Sequence, residues 1–215
     1  MMQMHPHFNF RPLGKIAGLL LALIVLFFPS FVFAQNTNPS VCIDPGHGGT
    51  DTGAVNGDIS EKDLNLDVAG RLAMLLNNSG YIVYQTRTGD QTFSNSDRYN
   101  FCNSNNATIL VSIHHDGSSD PSIDHSQALY MKKTDVDLAK VVVNGVSSKL
   151  NTTNHGISRF ASGVLLKSKM PAAISEAFFL TNTAEYTMLK DPTSTRRQDE
   201  AVALYNGITN YFANH

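Results

Sequence analysis

Four side chains of the types that perform metal-assisted hydrolysis stand at wide intervals in this sequence: His47, Glu61, His114 and Glu176. Two imidazoles and one carboxylate are a common ligand set for catalytic zinc, with the fourth position left to water. Zinc lowers that water's pKa towards about 7, so it attacks a carbonyl near neutral pH. A further carboxylate can take the water's proton and pass it to a leaving nitrogen. Together these types point to hydrolysis of an amide or an ester. Singly they say less. Glu61 also suits an ordinary acidic position in the first turn of a helix, and His114 a hydrogen-bonded core position. Glu176 is the least ordinary, because Ile174-Ser175 and Phe178-Phe179 flank it. An unpaired carboxylate there is costly, and burial raises its pKa, which suits a proton carrier.

The elements that must bring these residues together alternate along the chain. Residues 41–44 read as a strand that opens into Asp44-Pro45-Gly46-His47-Gly48-Gly49. Its glycines let the backbone turn sharply and approach whatever His47 holds. Residues 61–79 read as a helix, with Leu64, Val68, Leu72 and Leu75 on one face, Ser60 as its cap and Gly80 as its stop. Further strands are expected over 81–85, 108–113, 128–131, 163–167 and 172–175, and further helices over 96–105, 135–150, 183–190 and 194–212. This is the pattern of an α/β domain. His114-His115-Asp116 follows one strand and Glu176 another, and in open α/β sheets sites gather at the strands' carboxyl ends.

The chain has 215 residues, 42% hydrophobic and 16% charged, enough for a single domain with a real core. Arg11 and Lys15 precede an apolar run over 16–28, and Val32 and Ala34 suit the last positions before a cut. Residues 1–34 therefore read as a secretory signal, 35–40 as a short linker and 41–215 as the catalytic domain. The apolar run is shorter than the roughly 20 residues of a membrane-spanning helix. An uncleaved anchor over 16–34 is the competing reading. The formal net charge is −2 and Lys and Arg are unclustered, which argues against a polybasic grip on nucleic acid or anionic lipid. Cys42 and Cys102 lack the spacing of a zinc or redox motif. An oxidising compartment permits a disulfide between them, but the favoured expectation is two separately buried thiols.

The ordered set Asp44-Pro45-Gly46-His47-Gly48-Gly49, Glu61-Lys62-Asp63-Leu64-Asn65-Leu66, Thr86-Arg87-Thr88-Gly89-Asp90, Arg98, Ser112-Ile113-His114 and Met170-Pro171 through Thr181-Asn182 resembles the zinc-dependent N-acetylmuramoyl-L-alanine amidases of the Amidase_3 type. The resemblance covers nearly all of the chain beyond residue 40. It implies an α/β fold with a central, mostly parallel sheet of about six strands and helices on both faces. It also implies one zinc ion held by His47, Glu61 and His114, with Glu176 as the catalytic glutamate. The implied substrate is peptidoglycan, cut between the lactyl group of N-acetylmuramic acid and L-alanine. Alternatives are a zinc peptidase acting within the stem peptide, or an inactive wall-binding regulator. The protein is expected to be exported to a periplasm or the cell exterior. A monomer is expected, with no nucleic-acid partner and no stable membrane association once the signal is removed.

Two departures from the family pattern stand out. His115-Asp116 replaces a small residue and Asn after the zinc histidine. His114 is preferred as the ligand, since adjacent strand residues face opposite ways; His115 is left to a neighbouring element or the cleft. Some relatives carry a long insert with a helix that blocks the site, and residues 117–126 leave no room for one. Arg87 and Arg98 are expected to pair with Asp90 or Asp97, with acidic groups of the stem peptide as the alternative. Asp44 is a candidate acceptor for a ligand histidine, or a turn cap. His125 and His155 are expected in solvated loops, Asn182 as a helix cap, and Phe178 and Phe179 in the core.

Overall fold

Val41-Cys42-Ile43 and its flanks form β1 (Ser40–Pro45), which is buried along its whole length, as befits a strand central to a parallel sheet. The computed structural model describes Met1 and residues 38–215. The predicted signal, apart from Met1, and linker residues 35–37 lie outside the described residues; Ser40, expected in the linker, already belongs to β1. The chain continues through a small ribbon of β2 (Val55–Asn56) and β3 (Ile59–Ser60), then α1 (Glu61–Asn78), β4 (Ile82–Gln85), α2 (Asn95–Ser104), β5 (Ile109–Asp116) and β6 (Ser126–Tyr130). It ends with α3 (Val136–Leu150), β7 (Asn154–Arg159), α4 (Gly163–Lys167), β8 (Ala172–Phe179), α5 (Thr183–Lys190) and α6 (Arg196–Asn214).

Among the described residues six strands form one sheet in the order β4-β1-β5-β8-β6-β7. β4, β1, β5 and β8 are mutually parallel. β6 runs antiparallel to β8 and parallel to β7. Strand alternation divides the core in two. Val41, Ile43, Ile109, Val111 and Ile113 pack with Leu64, Val68, Val142, Leu204 and Ile208 from α1, α3 and α6. Cys42, Leu110, Ala172 and Ile174 face the other way, with Cys102, Val164 and Leu165 from α2 and α4. Helices thus cover both faces, as expected.

Ser60 caps α1 by accepting from the Asp63 N–H. The buried stripe runs Leu64, Val68, Leu72 and Leu76, with Leu76 in the place expected of Leu75. Residues 163–167 are a helix, not the expected strand. Ser162 caps it by accepting from the Leu165 N–H, while Val164 and Leu165 point into the core. A run of three apolar residues, Val164 to Leu166, does not reveal its period. The sixth strand is β7 instead, an edge strand largely exposed and interrupted by Gly156 at φ 79. It carries no alternating apolar pattern, and it removes His155 from its expected loop. β5 and β8 both run further than predicted, so His114 and Glu176 lie within strands rather than beyond them.

Cys42 and Cys102 are disulfide-bonded, contrary to the expected free thiols, with Cα atoms 5.7 Å apart. α2 crosses the sheet face to which Cys42 points, and that brings residues 60 apart in sequence together. In the chain-entropy account, a cross-link closing such a loop stabilises by about 4 kcal/mol at most. Replacing both cysteines by serine should lower unfolding free energy by about 2–4 kcal/mol in urea titration, with no loss of secondary structure by circular dichroism.

Candidate metal centre

Three elements deliver one donor each. His47 sits on the loop after β1, Glu61 is the first residue of α1, and His114 lies on β5. Their ligand atoms all fall within 4.8 Å of one another. His47 Nε2 is 3.1 Å and His114 Nδ1 is 3.0 Å from the same Glu61 Oε1. Two ring nitrogens and a carboxylate oxygen converging on one point match the donor set of a catalytic zinc site with an open position. The groups around them hold this arrangement. His47 Nδ1 lies 2.9 Å from Asp51 Oδ2, the outer partner a metal-bound imidazole requires. Glu61 accepts from the Ala54 N–H at 2.9 Å and the His115 N–H at 3.1 Å. Burial pushes the Glu61 carboxyl up, but the His114 and His47 hydrogen bonds and charges outweigh it and hold the pKa far below the ordinary range.

Glu176 is the direct cross-strand neighbour of His114. Both face the α2 and α4 side of the sheet, and the pairing shifts register immediately beyond them, where Asp116 meets Phe179. Bulges of this kind re-aim side chains beside active sites. Glu176, His47, His114 and Asp116 line a cleft of about 510 Å³ that Phe93, Leu129 and Phe160 also line. Burial, with the carboxylates of Asp116 and Glu61 adding to it, raises the Glu176 pKa well above the ordinary range.

Two arginines grip the His47 loop. Arg98 Nη1 donates to Asp44 Oδ1 and the Pro45 carbonyl, both at 2.8 Å, and Nη2 donates to the His47 carbonyl at 2.7 Å. Arg87 donates to the Pro45 and Gly46 carbonyls at 2.9 Å and to the Lys62 carbonyl at 2.7 Å. Burial alone would raise the Asp44 carboxyl; the Arg98 charge and hydrogen bonds from Thr86, Arg98 and Ser112 outweigh it and lower the pKa. Within this grip His47 adopts φ 59, a left-handed conformation that a non-glycine residue keeps only when its surroundings enforce it. Gly46 is required by close approach, since a Cβ there would run into the His114 ring. At Gly53 a Cβ would meet Glu61 and His47.

The structure therefore brings His47, Glu61, His114 and Glu176 into one cleft. It separates His115, which points to the opposite sheet face between Asn65 and Glu200. Several expected partners differ. Arg98 pairs with Asp44, not Asp97, and Asp90 pairs with Lys62, not Arg87. Asp44 neither orients a histidine nor caps a turn; it neutralises Arg98. Asp51, only four residues on, orients His47, and no motif in the sequence marks it for that role. His125 is half-buried, with its ring centroid 4.0 Å from that of His155 and 4.6 Å from that of Phe179, both rings tilted against it. Asn182 caps α5 as expected, accepting from the Ala184 and Glu185 N–H groups, and Phe178 and Phe179 are buried.

A family model described as N-acetylmuramoyl-L-alanine amidase, Amidase_3, matches residues 41–210. The chain is 30% identical to the N-acetylmuramoyl-L-alanine amidase LytC of Bacillus subtilis over 177 residues, 80% of this chain but only 35% of LytC. Among solved structures, an N-acetylmuramoyl-L-alanine amidase from Clostridium difficile 630 superposes with a TM-score of 0.77 at 32% identity, covering 82% of this chain and 98% of that one. The CwlD amidase from Clostridioides difficile, solved in complex with the GerS lipoprotein, gives 0.71 at 29% identity, covering 83% of this chain and all of that one.

The arginine grip has a direct consequence. Arg98→Lys keeps a charge beside Asp44 but cannot reach Asp44 and the Pro45 and His47 carbonyls at once. The variant should stay folded by circular dichroism and bind zinc about 10- to 100-fold more weakly in chelator competition.

Proposed function

The chain belongs to the Amidase_3 family of N-acetylmuramoyl-L-alanine amidases, and from that membership we propose that it hydrolyses the amide between the lactyl group of N-acetylmuramic acid and L-alanine in peptidoglycan. One zinc ion per chain is held by His47, Glu61 and His114. The observation that carries this reading is the convergence of two imidazole nitrogens and a carboxylate oxygen within 4.8 Å, on the sheet face where Glu176 stands opposite His114.

When bound, zinc supplies Lewis-acid polarisation of the carbonyl and a nucleophilic water at neutral pH. The chain's own residues do the rest. The Glu176 carboxyl takes a proton from the attacking water and delivers it to the leaving nitrogen of L-alanine. Its raised proton affinity suits both halves of that transfer. Asp51 keeps the His47 ring turned so that Nε2 faces Glu61. Phe93, Leu129 and Phe160 give the cleft an apolar wall that limits water and receives the less polar parts of a substrate.

The protein acts outside the cytoplasm, in a periplasm or at the cell exterior, as a monomer without stable membrane attachment. The apolar run over 16–28 and the small residues before position 35 support export, and so does the Cys42–Cys102 disulfide, a bond that persists in oxidising compartments. No helix among the described residues is long and apolar enough to cross a membrane. Residues 117–125, between β5 and β6, hold turns and no helix that would cover the cleft. The site is therefore open without an activator.

Purified protein should release intact peptides beginning with L-alanine from cell wall, leaving free lactyl groups by mass spectrometry. Shortened peptides would identify a peptidase, and no product a non-catalytic protein. Glu176→Ala should lower turnover by at least 1,000-fold, about 4 kcal/mol in the barrier, while zinc content stays at one per chain. Activity should appear without any added protein, and strict dependence on a partner would overturn the open-site reading. The exported form should begin at Gln35 by N-terminal sequencing.

A further inference from the structure

One buried chain of hydrogen bonds takes no part in the proton transfers above, yet it ends at the metal centre. It begins on α6, on the sheet face away from the cleft, at Glu200. The side chains of Glu200 and His115 are completely buried, with His115 Nε2 2.9 Å from Glu200 Oε2. The other ring nitrogen, Nδ1, lies 2.7 Å from Asn65 Oδ1. Asn65 Nδ2 donates to the Gly46 carbonyl at 3.2 Å and to Glu61 Oε1 at 3.4 Å. Glu61 also accepts from the backbone N–H of His115.

Donor and acceptor accounting leaves the Asn65 amide one orientation. Its NH2 faces two oxygens, those of Gly46 and Glu61; turned over, its own oxygen would face both. Held this way, Asn65 offers its oxygen to His115 Nδ1, which therefore carries a hydrogen. The Glu200 carboxyl is the partner left for Nε2. Glu200 is an unusual way to fill this space, since its second oxygen, Oε1, has no hydrogen-bond partner among the described residues. An apolar residue would fill the same volume with less desolvation cost. What the carboxyl adds is an orientation for His115.

We propose that Glu200 is a positioning residue for the metal centre. Acting through His115 and then Asn65, it fixes the Glu61 carboxylate relative to the Gly46 carbonyl of the loop that carries His47. A ligand carboxylate and a ligand loop on separate elements are thereby held in register by one side-chain amide. The inference rests on the zinc site proposed above.

Zinc affinity, read by chelator competition on the purified protein, is the test, with thermal unfolding of the metal-free protein measured alongside. Glu200→Gln still offers a donor and an acceptor to His115 and should bind zinc within about threefold of wild type. Glu200→Leu should bind about 10- to 100-fold more weakly, without lowering the unfolding temperature, and kcat on cell wall should fall while KM holds. In an Asn65→Ala background the leucine substitution should cost less than a further twofold, because the path is already cut. Wild-type affinity in Glu200→Leu, or an undiminished loss in the Asn65→Ala background, overturns the proposal. Glu200→Met repeats the comparison should the leucine variant not fold. A wild-type protein that binds no zinc would sink the zinc reading itself, whereas zinc-loaded wild type with an unaffected leucine variant sinks the relay alone.

Discussion

The buried grip of Arg98 on Asp44 and on the loop beyond it is the interaction on which the rest of the site depends. The turn after β1 points three successive carbonyls, from Pro45, Gly46 and His47, away from water. Buried carbonyls need donors, and the sheet ladder has none left there. Two guanidiniums supply them. A guanidinium buried this deeply needs an anion, and Asp44 provides it at 2.8 Å. Removing one partner of such a pair typically costs about 3–5 kcal/mol, because the other is left charged and buried. The elements around the loop serve the same end: α2 carries Arg98, the stretch after β4 carries Arg87, and the disulfide ties α2 to β1.

β5 separates chemistry from support by alternation alone. Ser112 and His114 face the cleft side; Ile113 and His115 face α1 and α6. Ser112 donates to Asp44 and so belongs to the grip on the loop. His114 belongs to the proposed ligand set, and His115 reaches Glu61 from behind through Asn65 and its own N–H. Adjacent histidines thus act on the same carboxylate from opposite sides of one sheet. The same strand places His114 against Glu176 on β8, so the proposed ligand and the proposed proton carrier share the rigidity of two central, mostly buried strands. That rigidity matters, because proton transfer and attack both need reacting atoms held to a few tenths of an ångström.

Much of this was legible beforehand. The helix from Glu61 announced itself by spacing and by its Ser60 cap, and the strands before His47 and His114 by short buried runs. The misreadings have local causes. Residues 163–167 are too few to show a helical period. β7 is an exposed edge strand whose pairing with β6 is made by backbone rather than by an apolar face. The choice of partner for each arginine failed because nearby acids in sequence, Asp90 and Asp97, were favoured over Asp44, which is 54 residues from Arg98 but adjacent to it in space.

Local pattern in the sequence singled out the candidate site residues and sent the two adjacent histidines to opposite faces. The side-chain types match a metal-ligand set, the glycine-rich turn marks the loop, and a period of two sets His114 and His115 apart. Tertiary structure alone decided what holds them. Whether Cys42 meets Cys102, whether Asp44 serves a histidine or an arginine, and whether His115 meets Glu200, 85 residues away, all depend on how helices cross the sheet. Local propensity is written in neighbouring residues, whereas a hydrogen-bond partner is whichever group the packed helices bring within about 3 Å.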